Sequence, residues 1–125
     1  MIVTVVGLGK IGLPLAVQFA RSGVEVIGAD VNPAVVDLVN AGQEPFPGEA
    51  HLQDYLTEAV RAGTLRATTD TTAAVAQSHT VVVVVPLFVD AEARPDFGWM
   101  DSATEAIGRG LQAGNGTLIC YETTL

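Results

Sequence analysis

One cysteine among 125 residues excludes an internal disulfide, so whatever folds this chain has to do so by packing alone. Positive charge is also scarce. Six lysines and arginines stand against 14 acids, giving −8 and pI ≈ 4.4. No broad basic face is therefore available to neutralise a phosphate backbone or an anionic membrane, and nucleic acid and membrane surfaces are not expected as partners. The N-terminus carries neither a basic leader nor an apolar stretch of signal or spanning length, so a cytoplasmic location is expected. Only 16% of residues are charged while 49% are hydrophobic, which excludes disorder. At this length a domain buries roughly two-thirds of its unfolded surface, enough for one apolar core.

What is present is alternation. Apolar runs of strand length alternate with stretches of helical period, the pattern of βαβ units feeding a parallel sheet. The pattern predicts five strands, at Ile2–Val6, Glu25–Ala29, Arg66–Thr68, Thr80–Val85 and Thr117–Tyr121. Five successive valines, Val81–Val85, cannot alternate inside and outside and so suit a central strand covered on both faces. The expected fold class is α/β, a Rossmann-type doubly wound parallel sheet in three layers, forming a single dinucleotide-binding domain over residues 1–125.

Helices are predicted over Lys10–Ser22, Pro33–Asn40 and Asp101–Gln112, each stopping beside a glycine. A further helix carries Leu52, Tyr55, Leu56, Ala59 and Val60 on one face and ends at Gly63. Pro33 suits a first helical turn, with Asn32 as its cap, and a short helix is expected after Asp70. The segments Gly42–Glu49 and Asp90–Phe97 read as loops. The final strand is followed by neither a helix nor a polar tail, so a fragment of a longer protein is expected.

Chemistry concentrates in G-L-G-K-I-G, residues Gly7, Leu8, Gly9, Lys10, Ile11 and Gly12, placed directly after the first strand and at the head of the first helix. Gly7 permits the tight turn, Gly9 lets a diphosphate approach the backbone, and Gly12 lets helix and strand pack closely. Free N–H groups and the positive end of the helix dipole then face the anion, so the net charge is no obstacle. A glycine-rich turn without a ligand is the alternative reading. The second strand ends at Asp30, 18 residues beyond Gly12, close to the spacing of an acid that binds adenosine ribose. Asp30 would repel a 2′-phosphate, and Val31, Asn32 and the residues after them supply no arginine or lysine to receive one, so NAD is expected rather than NADP. Asp30 as a plain helix cap is the competing role.

In such a sheet the ligand lies across the carboxyl ends of the strands. Val85, Pro86 and Leu87 after the fourth strand, and Thr124 after the fifth, should line its distal half. Cys120, flanked by Leu118 and Ile119, reads as a buried inert thiol. His51 and His79 each lack a second ligand at metal-binding spacing, and no metal site is expected.

With these residues laid out, the chain resembles the N-terminal domain of the UDP-glucose/GDP-mannose dehydrogenase family. The resemblance rests on V-V-G-L-G-K-I-G-L-P-L-A at 5–16, V-I-G-A-D-V-N at 26–32, G-T-L-R-A-T-T-D at 63–70, V-V-P at 84–86, R-P-D at 94–96 and Y-E-T-T-L at 121–125. The L-R-A-T-T stretch, Glu49 and Leu52 look most like the branch that oxidises UDP-N-acetylmannosamine. The resemblance implies oxidation of a sugar's primary alcohol to a carboxylate by two hydride transfers to NAD, with a cysteine holding a covalent thiohemiacetal. That cysteine would lie beyond residue 125 and Cys120 is not its counterpart, so these residues should bind cofactor and catalyse nothing. The family's dimer is formed by a long helix after this domain, which implies a homodimer for the longer protein and a monomer here. The nucleotide-sugar substrate would be held by the missing C-terminal part.

Three departures stand out: Leu87 where the family has threonine, Thr123 for a serine, and Val35 for a lysine or arginine expected near the adenosine end. Two other readings share the glycine loop and the acid. One is a ligand-sensing Rossmann module without catalysis; the other is the cofactor domain of a β-hydroxyacid-type dehydrogenase.

Overall fold

β-Branched residues with a period suited to burial form β1 (Ile2–Val6) and β2 (Glu25–Ala29), with the bounds that the sequence predicts. The structure, a computed structural model, describes residues 1–46, 51–84, 88–89, 95–96, 104–109 and 118–121. Between and after these strands run α1 (Gly12–Arg21), α2 (Pro33–Asn40), α3 (Leu52–Ala62), β3 (Leu65–Thr68), α4 (Thr71–Ala76) and β4 (Thr80–Val83). Then come β5 (Phe88–Val89), β6 (Pro95–Asp96), α5 over residues 104–109, and β7 (Leu118–Tyr121). Five strands form one parallel sheet in the order β3-β2-β1-β4-β7. The reversal of direction outward from β1 to β4 creates the crevice at their carboxyl ends that such sheets use for ligands.

Both faces of the sheet are covered. Val3 and Val5 of β1 and Val82 of β4 pack with Leu13, Ala16 and Val17 of α1, Val35 and Val39 of α2, and Leu56 of α3. On the opposite face Val81 and Val83 join Val75 of α4 and Ile107 of α5. The valine run of β4 is thus divided between two cores, as a central strand requires. Thr4 is the polar exception in β1. Its hydroxyl is fully buried and bonds to Ser78 Oγ and the Ala74 carbonyl, so the Thr4 hydroxyl is not left orphaned.

Helix ends follow local chemistry. Asn32 Oδ1 accepts from Ala34 N at 3.0 Å, with Pro33 in the first turn of α2. Asp70 Oδ1 accepts from Ala73 N and starts α4. At the open edge of the sheet, Asn40 completes β3 by pairing its side-chain amide with both the N–H and the carbonyl of Ala67, at 2.8 and 3.0 Å. An edge strand blunted in this way offers less template for pairing with another chain.

Several boundaries differ from expectation. α1 begins at Gly12 rather than Lys10, because residues 9–11 are spent on the turn. β3 starts one residue earlier, at Leu65. The β4 ladder stops at Val83; Val84 N still donates to Val6 O at 2.8 Å, and Val85 lies outside the described residues. The predicted loop Asp90–Phe97 contains β6, whose Pro95 and Asp96 pair antiparallel with Val89 and Phe88. Two-residue strands made by tertiary proximity leave no periodicity to read. Of the predicted loop 42–49, residues 42–46 are irregular; of the predicted helix 101–112, residues 104–109 are helical.

Candidate functional site

The turn after β1 is built by exclusion. Gly7 has φ 99°, a left-handed conformation that favours glycine, and its N–H donates to Ala29 O at 2.7 Å. Gly12 has no such φ but no room: a Cβ there would overlap the Gly7 carbonyl oxygen and lie 2.9 Å from its carbon. Helix α1 can therefore start directly against the turn only with glycine at this position. Gly9 answers to neither demand. Its φ is not positive, and among the described residues nothing lies within 4 Å of where its side chain would be. A glycine that neither conformation nor packing requires, facing open space, is a backbone left bare for something to approach.

Helix α1 opens onto that space. Its N-cap is Ile11, with no side-chain cap bond and no acid in the first turn. The N–H groups at a helix start attract anions, and among the described residues neither a cap side chain nor a first-turn acid meets that demand. Lys10 is exposed beside them, and the Ile11 side chain is 69% exposed.

Across from the turn stands Asp30, just past the end of β2. Its carboxylate is half-buried and takes one backbone N–H on each oxygen, Leu8 N on Oδ2 at 2.9 Å and Asn32 N on Oδ1 at 2.9 Å. Asp30 therefore does not cap α2, a role that falls to Asn32. It also joins the glycine turn to the end of β2, a function that spacing alone does not show. Each oxygen keeps a lone pair for a further donor. Val31, next in the chain, is 61% exposed at the rim.

The structure thus brings Gly7, Leu8, Gly9, Lys10, Ile11, Gly12, Asp30, Val31 and Asn32 to one end of the sheet, at the carboxyl termini of β1 and β2. Val85, Pro86, Leu87 and Thr124 lie outside the described residues. Val35, which stands for a lysine or arginine of the family, is 8% exposed and packed in the core. Cys120 is half-buried, packed against the larger core. Both histidines have structural partners. His79 Nδ1 accepts Ile2 N at 3.1 Å, and the His51 ring lies 6.0 Å from Tyr55, on which the Arg21 guanidinium stacks at 3.6 Å. Among the described residues no group of three His, Cys, Asp or Glu side chains is placed to hold a metal.

Sequence reasoning missed Gly28. A Cβ there would press on Leu8, 2.8 Å from both of its methyl carbons. The signal was available, because an isolated glycine inside a strand marks a close approach.

A parallel sheet in this order, a glycine turn feeding an uncapped helix and an acid closing the next strand define a Rossmann-type dinucleotide-binding domain. The particular family follows from comparison with known proteins. Residues 1–125 match the UDP-glucose/GDP-mannose dehydrogenase family, NAD binding domain, and the chain belongs to that family. It is 36% identical over 122 residues to a UDP-N-acetyl-D-mannosamine dehydrogenase of Salmonella typhimurium, covering 98% of this chain and 27% of the relative. An NDP-N-acetyl-D-galactosaminuronic acid dehydrogenase of Ralstonia nicotianae is 38% identical over the same length, with 98% and 27% covered. The solved GDP-mannose dehydrogenase from Pseudomonas aeruginosa superposes with TM-score 0.95 at 28% identity, over 100% of this chain and 29% of that one. The chain therefore spans about 27% of the length of the curated relatives. The matched family is neither that of the sensing module nor that of the β-hydroxyacid-type dehydrogenase.

Proposed function

We infer that this chain is the cofactor module of an enzyme that oxidises the primary alcohol of a nucleotide sugar to a carboxylate, with NAD as hydride acceptor. The observation that carries the reading is Gly9, bare, facing open space and not required by the fold, at the head of an uncapped helix. NAD, when bound, supplies the electron sink for the alcohol's hydride. The chain's own residues bind and orient it. The backbone of Gly9 to Gly12 holds the diphosphate through N–H groups and the helix dipole. Asp30 accepts from the adenosine ribose hydroxyls and repels a 2′-phosphate, while Val31 and Asn32 border the adenosine. Val85, Pro86, Leu87 and Thr124 line the nicotinamide half.

The sugar nucleotide and the groups that react with it belong to the rest of the enzyme, and these 125 residues alone turn over nothing. The longer protein is a homodimer in the cytoplasm, whereas this chain is a monomer that binds no nucleic acid. Sedimentation showing a tight dimer of this chain at micromolar concentration contradicts the last point. Among the described residues no helix is long and apolar enough to cross a membrane.

The test is a thermal-shift titration with NAD and NADP in parallel. A ligand at about 100 times its Kd adds ~2.7 kcal/mol of stability. Stabilisation by NAD and not by NADP is expected; no shift with NAD overturns the reading.

A further inference from the structure

The glycine turn is anchored by a single buried side chain. Between Gly7 and Ile11, Leu8 is 0% exposed, whereas Lys10 and Ile11 face solvent. Its isobutyl group lies over Gly28, where a Cβ would stand 2.8 Å from Cδ1 and Cδ2 and 3.2 Å from Cγ, against 3.4–4 Å for ordinary contact. The hydrogen at Gly28 is therefore a notch in the buried stretch Val-Ile-Gly-Ala of β2, and the notch is filled by the turn. Two residues further on, just past the end of β2, Asp30 holds the N–H of the same leucine. Leu8 is gripped at its side chain and at its backbone by one strand, and Gly9 is the next residue.

Turns rich in glycine have many conformations to lose, and a site that is ordered before binding spares the ligand that entropy. We propose that Leu8 is a positioning residue for dinucleotide binding, seated in the notch left by Gly28 so that the Gly9 backbone is held ready for the diphosphate. This rests on the NAD reading above. It explains why β2 carries a glycine that has ordinary φ and that weakens a strand by packing nothing of its own. It also explains why the turn carries a leucine between two glycines whose ligand would need only their backbone.

The test is isothermal titration of NAD into the chain and into Gly28→Ala, Leu8→Val, Leu8→Ala and the pair Gly28→Ala with Leu8→Val, with the unfolding midpoint of each free protein measured alongside. Gly28→Ala adds a methyl group that presses first on Leu8, and Leu8→Val removes one carbon from that contact. Gly28→Ala and Leu8→Ala are each expected to raise the NAD Kd about tenfold in protein that remains folded, and the volume-conserving pair to return within about threefold of the unmodified chain. Should Gly28→Ala fail to fold, Leu8→Ala reads the same anchor from the other side. A role confined to stability would lower the unfolding midpoints and leave the Kd of folded protein unchanged, and that result overturns the proposal. Losses in the pair equal to the product of the single losses overturn it too. An unmodified chain that does not bind NAD removes the reading beneath and the proposal with it, whereas binding unaffected by all four variants removes the proposal alone.

Discussion

The two ends of the parallel sheet use the same residue types for opposite purposes. At the amino end the chain closes on itself. Val26 N donates to Thr64 O at 2.7 Å, His79 N to Ile2 O at 2.9 Å, and the Ile2 N–H returns to the His79 ring. Gly63 belongs to this end: φ is 78°, with open space around it, so it answers only to the conformation that ends α3. At the carboxyl end Gly12 and Gly28 answer to space rather than conformation, and Gly9 to neither. Ile11 and Val31 are exposed there, at 69% and 61%, while Met1, at 72%, is exposed at the amino end. Gly7 is the exception at the carboxyl end, answering to conformation with φ 99°; apart from it, a glycine's reason for being present differs between the end that closes the fold and the end that carries the candidate site.

Substitutions can break that separation, and the largest effect is expected at Gly12. Its Cβ would collide with backbone that has nowhere to go, so Gly12→Ala should cost at least about 3 kcal/mol and abolish the NAD thermal shift. Denaturant unfolding within 1 kcal/mol of the unmodified chain would show that α1 is free to slide. Asp30→Ala comes next. Two charge-assisted bonds, to Leu8 and Asn32, disappear from a half-exposed site, for about 1–2 kcal/mol in stability. NAD should weaken much more than NADP. NADP should weaken too, because the turn loses one of its holds, and equal losses for both cofactors would refute the ribose assignment. Gly9→Ala sharpens the contrast. With no neighbour within 4 Å, unfolding should change by less than about 0.5 kcal/mol. NAD affinity should nonetheless fall by about tenfold or more, equivalent to ~1.4 kcal/mol, read by calorimetry.

Much of this was legible in the sequence. The βαβ alternation locates β1, β2 and α2 to the residue, because uninterrupted apolar runs and a proline-led cap leave little ambiguity. The glycine spacing and Asp30 locate the site, since a diphosphate approaching backbone requires that pattern. Less legible were features made by contact between distant segments. The bond from Leu8 to Asp30 joins residues 22 apart in the chain, and the seat of Leu8 on Gly28 depends on how the turn folds back. Helical phase turns Val35 of α2 into the core, which its place among the residues after Asp30 does not show by itself. The β5–β6 pair has too few residues for any period to show.

The smallest effect is expected at the amino end, and it completes the comparison. Gly63 closes α3 with its N–H bonded to Val60 O at 3.1 Å, while Thr64 N reaches Ala59 O at 3.0 Å, a left-handed helix terminus. Alanine at that φ meets no atom, so its cost is conformational alone, about 1 kcal/mol in urea unfolding. Asparagine, which tolerates the left-handed region better, should cost less. Because Gly63 lies at the opposite end of the sheet from the glycine turn, neither change should move the NAD Kd by more than about twofold, distant and unshared sites being nearly additive. Gly9→Ala then alters affinity without stability, and Gly63→Ala stability without affinity. Were Gly63→Ala to weaken NAD as strongly as Gly9→Ala does, the turn at the carboxyl end would not be fixed by its own contacts with β2. Its shape would instead depend on the stability of the whole sheet.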